Sequence, residues 1–156
     1  MEQIKLYTDG SSLGNPGPAG YGFVLEYKGY RKFGGESLDD ATTNQQAELT
    51  AVIEGLKAVK DKSVPVEVLS DSQYVVKGVT EWLPRWRREG WKTSKGKPVK
   101  NRKLWHHLDL MLSRFDHVHF TWVKGHNGVQ WNEVADDLAH TSAELARERD
   151  TESSSK

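Results

Sequence analysis

The sequence predicts an α/β domain on a mixed five-stranded sheet, three strands in an antiparallel meander and two more in parallel. Two observations carry this. Between Ile4 and Glu36, apolar residues recur at every second position with only short turns between the runs, too little chain for crossovers. From Thr43 onward, helical and strand periods alternate, and strand–helix–strand units call for right-handed crossovers and parallel pairing.

Taken in order, Ile4, Leu6 and Thr8 alternate with Lys5, Tyr7 and Asp9, which reads as a strand ending at an Asp-Gly turn. The run Gly14-Asn15-Pro16-Gly17-Pro18-Ala19-Gly20 is a rigid turn. Tyr21, Phe23, Leu25 and Tyr27 form a second strand, and a short third one lies near Arg31 to Glu36. Thr43 and Gln46 fit a capping box, and Leu49, Val52, Ile53, Leu56 and Val59 follow with helical spacing. Val64, Val66 and Val68 mark a fourth strand, stopping at Ser70-Asp71-Ser72, a good helix start. Proline costs about 3 kcal/mol inside a helix but is tolerated in a first turn. Pro84 therefore predicts one helix near 72–79 and a separate short one from about 82. Leu104, Leu108, Met111 and Leu112 give a further helix, Val118, Phe120 and Trp122 a fifth strand, and Val134, Ala135, Leu138 and Leu145 a last helix. Residues 1–149 then form one domain, and the Ser- and charge-rich stretch 150–156 is expected to be a flexible tail.

Composition narrows the function classes. The 156 residues are 36% hydrophobic, enough for one core, and contain no Cys, which excludes disulfides and thiolate zinc sites. No stretch approaches the roughly 18 apolar residues of a membrane span, and Met1 opens into polar–apolar alternation instead of a signal peptide, so a cytoplasmic protein without membrane contact is the expectation. Net charge is zero but segregated. Residues 85–103 hold nine Lys or Arg against the single acid Glu89, a net +8, so the remainder carries −8. A basic stripe can track phosphates, and an acidic remainder can hold metal ions.

In α/β sheets the functional crevice lies beyond the carboxyl ends of parallel strands, and Asp9 and Asp71 both fall at such ends. Each acid also has an ordinary reading. Asp9 before Gly10 can build a turn, Asp71 can cap a helix, and Glu48 one turn into a helix suits the helix dipole. Asp136 carries its own control. Glu133, Asp137, His140 and Glu144 form a polar face that should be solvated, whereas Asn132, Asp136, Ala139 and Ala143 form a face of small residues suited to packing on the sheet. A carboxylate on that face needs a partner, and a metal ion is one candidate.

Tyr-Thr-Asp-Gly-Ser followed by Gly-Asn-Pro-Gly-Pro, then Thr-Thr-Asn-Gln-Gln-Ala-Glu-Leu, Ser-Asp-Ser-Gln-Tyr and Asn-Glu-Val-Ala-Asp-Asp-Leu-Ala resemble the motifs of the type 1 ribonuclease H family, in order and spacing, from about residue 4 to 145. The resemblance implies a ribonuclease H-like fold with helices on both faces of the sheet and a basic protrusion within 80–103. It implies an endoribonuclease that cuts the RNA strand of RNA–DNA hybrids, giving 5′-phosphate and 3′-hydroxyl ends, and works as a monomer. Asp9, Glu48, Asp71 and Asp136 would be the metal-binding tetrad, holding two Mg²⁺, with Mn²⁺ as a substitute. Two divalent ions supply a nucleophile and neutralise charge building on the phosphate and the leaving oxygen, and an all-oxygen donor set selects hard ions. Without them, four clustered carboxylates repel one another and should destabilise the fold.

His126, between glycines in the loop before the last helix, resembles the family's mobile histidine and would shuttle a proton or help release product, although Val129-Gln130-Trp131 after it departs from the family pattern. On the substrate side, Trp82 and Trp86 share a helical face, interleaved with basic residues including Arg87 and Arg88; the plainer reading is a hydrophobic cluster beneath a charged surface, which suits Trp91. The resemblance places Tyr74, Trp82 and Trp86 along the DNA-strand channel and Thr43, Asn101 and Ser94 at a DNA phosphate. It places Asn15, Asn44, Gln45 and Gln73 in the minor groove, where the 2′-hydroxyl tells ribose from deoxyribose; Asn15 and Asn44 also suit turns and caps. Base sequence would go largely unread. A non-catalytic hybrid-binding module would be expected to lack one or more of the acids, and all four are present. The basic protrusion and the hybrid-reading polar set count against another nuclease or integrase-like member sharing the metal core.

Overall fold

The computed structural model describes residues 2–93, 95–124 and 130–154. The strands are β1 (Ile4–Ser12), β2 (Ala19–Tyr27), β3 (Tyr30–Ser37), β4 (Val66–Ser70) and β5 (Val118–Trp122). They form one sheet in the order β3-β2-β1-β4-β5, with β1–β2 and β2–β3 antiparallel and β1–β4 and β4–β5 parallel. The expected mixed topology is therefore present. The helices are α1 (Asn44–Lys57), α2 (Gln73–Lys77), α3 (Leu83–Arg88), α4 (Arg102–Leu112) and α5 (Gln130–Ser154). No described helix is long and apolar enough to cross a membrane.

Strand alternation divides the core in two. Ile4, Leu6, Phe23, Val66 and Val68 pack with α1, α4 and the α2–α3 segment in one large cluster. On the opposite face, Tyr7 and Val24 meet Ala135 of α5 in a much smaller one. There α5 offers Ala135, Ala139, Ser142 and Ala143, all buried, so its backbone lies close on β2.

Two expectations are corrected. β1 does not stop at an Asp-Gly turn but runs on to Ser12, with Asp9 and Gly10 paired to Gly22 and Tyr21. The two helices expected around Pro84 form one continuous ribbon. A π-helical turn, Gly78–Trp82, links α2 to α3, and Leu83 N–H donates five residues back to the Gly78 carbonyl. A proline ring strikes the carbonyl four residues behind it in a regular helix, and a widened turn gives it room. Pro84 thus enters the first turn of α3 without breaking the path. Helix α5 extends through Ser154, and Thr151 Oγ1 donates to the Arg147 carbonyl.

Candidate active site

Register places the first two acids. β1 and β4 pair in parallel from Ile4–Val66 to Thr8–Ser70, so Asp9 and Asp71 are each the next residue beyond the last pair. Asp71 is not the helix cap: Ser72 Oγ accepts from Val75 N–H at 3.2 Å and does that work.

Glu48 comes from α1, on the other face of the sheet, and reaches Asp9 because of Gly10. A Cβ on Gly10 would lie 2.3 Å from the Ala47 carbonyl carbon and 2.4 Å from Glu48 N. Only a hydrogen fits there, and the helix backbone closes onto the strand. The Gly10 N–H then donates to Glu48 Oε1 at 2.9 Å and to Asp9 Oδ1 at 3.0 Å. The entry of α1 is fixed by the expected capping box, with Gln46 N–H donating to Thr43 Oγ1 at 3.1 Å and Thr43 N–H to Gln46 Oε1 at 3.0 Å.

Candidate ligand oxygens of Asp9, Glu48 and Asp71 lie within 4.8 Å of one another. Asp136 enters from the small-residue face of α5 and reaches the Asp9 carboxyl. On that helix Glu133, Asp137 and His140 are exposed while Ala139 and Ala143 are fully buried, as the two-face reading requires; Glu144 is half-buried and ion-paired to Arg147. All four predicted acids thus converge from four separate segments.

Burial and crowding of like charge dominate the electrostatics of these acids. Burial first, then the Glu48 carboxyl and the Asp136 and Asp71 acids, push the Asp9 carboxyl far above the usual carboxylate range. Burial pushes Glu48 up to about 7, against the pull of its hydrogen bonds from Asp9 and the Gly10 amide. Burial and the crowding of acids thus raise both carboxyls of the pair. Glu48 Oε2 is buried and accepts from no N–H or hydroxyl donor among the described residues. A buried carboxylate oxygen without a donor is costly, and a hard divalent cation among oxygen ligands meets that need.

The family model for RNase H matches residues 1–144. The chain belongs to the RNase H family. It is 48% identical over 147 residues to a ribonuclease H of Bordetella avium (strain 197N), covering 92% of this chain and 93% of the relative. LC9-RNase H1, a type 1 RNase H with the type 2 active-site motif, aligns with a TM-score of 0.81 at 32% identity, over 94% of this chain and 74% of that one. LC11-RNase H1, solved in complex with an RNA/DNA hybrid, aligns with a TM-score of 0.69 at 25% identity, over 92% and 99% of the two chains.

Beside the acids, this RNase H-family chain carries an aromatic cluster with a fixed hydrogen-bond polarity. Tyr74, Trp82, Trp86 and Trp105 pack with ring centroids 5.3 to 6.5 Å apart. Trp82 and Tyr74 are half-buried, but Trp86 is buried, so it underpins the surface more than it lines it. Trp105 is fully buried at the centre. The sequence reading passed over it, although it lies on the apolar stripe of α4 with Leu108 and Leu112. Gly78 makes room for it: a Cβ there would lie 2.1 Å from the indole Cη2. Trp91 joins the cluster through Trp86 and stacks on His106 at 3.8 Å, which matches the satellite reading.

A second missed residue, Gln46, ties this cluster to α1. Its Oε1 is taken by Thr43 N–H, so its Nε2 donates to Asn101 Oδ1 at 3.1 Å; Asn101 Nδ2 then donates to the Tyr74 hydroxyl oxygen, also at 3.1 Å. Trp105 Nε1 donates to the same oxygen at 2.9 Å. Both ends of the chain are groups that can only donate, so its direction does not depend on how either amide is turned. The Tyr74 hydroxyl accepts twice, and no described residue accepts its proton.

The remaining predicted contacts are distributed around these centres. Asn15 Oδ1 accepts from Asn44 N–H at 3.0 Å and Asn44 Oδ1 from Ser12 N–H at 3.1 Å. Their carbonyls therefore do the turn-forming work, while both side chains stay exposed with their amide nitrogens free of acceptors among the described residues. Gln45 is half-buried beside them, and Gln73 is exposed two residues after Asp71. Arg87 is exposed and its Nε donates to Asp109 Oδ1 at 2.8 Å; Arg88 is exposed too. His126 and Ser94 lie outside the described residues.

Proposed function

We propose that this chain is an endoribonuclease that hydrolyses the RNA strand of RNA–DNA hybrids using Mg²⁺, with Mn²⁺ as a substitute, leaving 5′-phosphate and 3′-hydroxyl ends. The observation that carries the reading is the buried Glu48 Oε2 without a donor among converging acids on an RNase H fold. Asp9, Glu48, Asp71 and Asp136 would hold the ions. Two divalent ions in such a site activate a water nucleophile and neutralise charge on the phosphate and the leaving oxygen.

The protein's own groups position the hybrid. Thr43 at the start of α1 and Asn101 at the start of α4, bridged by Gln46, form one anchor for a DNA phosphate. The Tyr74 hydroxyl, whose proton no described residue accepts, adds a neutral donor to that anchor, with Trp82 beside it for sugar contact. Asn15, Asn44, Gln45 and Gln73 offer short polar groups to the minor groove, where a 2′-hydroxyl marks the RNA strand. Arg88 and the exposed lysines of the protrusion hold phosphates without reading bases. His126 serves proton transfer or product release in the same reading.

The test compares wild type with Asp9→Asn on a hybrid labelled on each strand, with and without Mg²⁺. Cleavage of the RNA strand alone, dependent on metal and lost in the variant, supports the reading. Tight hybrid binding by wild type without cleavage in either metal would leave a non-catalytic binding module.

A further inference from the structure

The departure of residues 129–131 from the family pattern has a structural counterpart at Trp131. Its indole, half-buried in the first turn of α5, lies beneath the Arg31 guanidinium at 4.2 Å and against Phe33 at 6.0 Å, both from edge strand β3. Arg31 is itself held by Glu26, Nε to Oε2 at 2.8 Å. Trp131 also packs on the small cluster of Tyr7, Val24 and Ala135. In the sheet, Leu69, Tyr7, Val24 and Phe33 are direct partners across β4, β1, β2 and β3. They make one row under the start of α5. Asp9, paired with Gly22, which in turn pairs with Gly35, heads the next row on that face, one pleat or about 7 Å further along.

The neighbouring residue is fastened at the other side: Asn132 Nδ2 donates to the Leu69 carbonyl at 3.3 Å. Successive helical residues point about 100° apart, so Trp131 and Asn132 together fix the helix against rotation. Asp136 lies one turn beyond Asn132 on the same face. Val134 and Leu138 pack on the same cluster, and beyond them α5 meets the sheet through alanine and serine, which allow close approach but interlock little.

We propose that Trp131 is a positioning residue for Asp136: the Arg31–Trp131–Phe33 clamp sets the rotation of α5 and so delivers Asp136 to the acid cluster. This rests on the reading of Asp136 as a metal ligand. The clamp acts on the site before any substrate arrives, so it governs metal affinity of the free protein.

The test is calorimetric titration of Mn²⁺ into the free protein. Trp131→Ala should weaken binding about tenfold, the lower end of the range for residues that orient ligands, while Trp131→Phe stays within about twofold of wild type. Val99→Ala, in the buried core on the other face of the sheet, controls for lost stability. Wild-type affinity in Trp131→Ala, equal weakening in Val99→Ala, or failure of Trp131→Phe to restore binding overturns the proposal. Should Trp131→Ala not fold, Arg31→Gln replaces it, and unchanged affinity there is equally fatal. Asp136→Asn is run in parallel. Unchanged affinity in Asp136→Asn overturns the ligand assignment and the clamp with it, whereas loss there with none in Trp131→Ala overturns the clamp alone.

Discussion

At the scale of single residues, Asp9 and Glu48 set against each other the needs of binding and of folding. Both carboxyls are raised above the ordinary range, chiefly by burial. The folded protein therefore holds protons that the unfolded chain has released, and stability of the metal-free protein falls as pH rises. It should be full below the normal carboxylate range and decline as pH rises through about 7, the Glu48 value. Urea unfolding in EDTA at several pH values measures this, and a flat profile would contradict it. Asp9→Asn should flatten the slope and stabilise the metal-free protein at pH 8 by about 1–3 kcal/mol. Saturating Mg²⁺ should narrow that gap, because only wild type gains the full ligand set. Tyr74→Phe works in the other direction. It strips the acceptor from Trp105 Nε1 and Asn101 Nδ2, which should cost about 1–3 kcal/mol in a thermal melt. Hybrid binding by that variant should weaken beyond what a melt-matched core variant shows; equal affinities would remove Tyr74 from the phosphate anchor.

At the scale of elements, the strands and long helices were legible because their periods are strong, and the failures have physical causes. Asp-Gly is common chemistry for a turn, but Gly10 serves the close approach of α1 in mid-strand, a tertiary demand no local pattern shows. Pro84 marks a helix break unless a widened turn precedes it, and that turn depends on the packing of Gly78 against Trp105. Gln46 was legible as a capping residue, but its second bond spans 55 positions to Asn101. The four acids were found by motif, since spacing alone left Asp9 and Asp71 open to ordinary turn and cap roles. The Gly78 packing gives a prediction for the α2–α3 ribbon. Gly78→Ala raises helix propensity locally, yet its methyl would press on the indole, and overpacking of this kind costs about 1–3 kcal/mol. A melting temperature equal to or above wild type would show that the ribbon relaxes without strain.

At the scale of the whole molecule, zero net charge conceals a dipolar arrangement, with +8 across residues 85–103 and −8 elsewhere. The basic segment carries Arg88, Lys92, Lys95 and Lys97 exposed to solvent, and Arg87 is ion-paired to Asp109. Hybrid binding should therefore weaken with salt, and each exposed cation in phosphate contact should contribute about 0.9 to the slope of log affinity against log salt. Arg88→Gln should lower that slope in a KCl series, whereas Arg87→Gln should leave it nearly unchanged and act on stability instead. Equal slopes for the two variants would contradict the assignment.

The parallel register of β1 and β4 bears on how this gene can change length. Asp9 and Asp71 stand level only because the strands meet Thr8 to Ser70. A strand alternates faces at every residue, so loss of one codon inside β1 could preserve every ladder bond and still carry the aspartate to the wrong side of the sheet. Insertions and deletions in β1 should thus abolish activity in protein that folds.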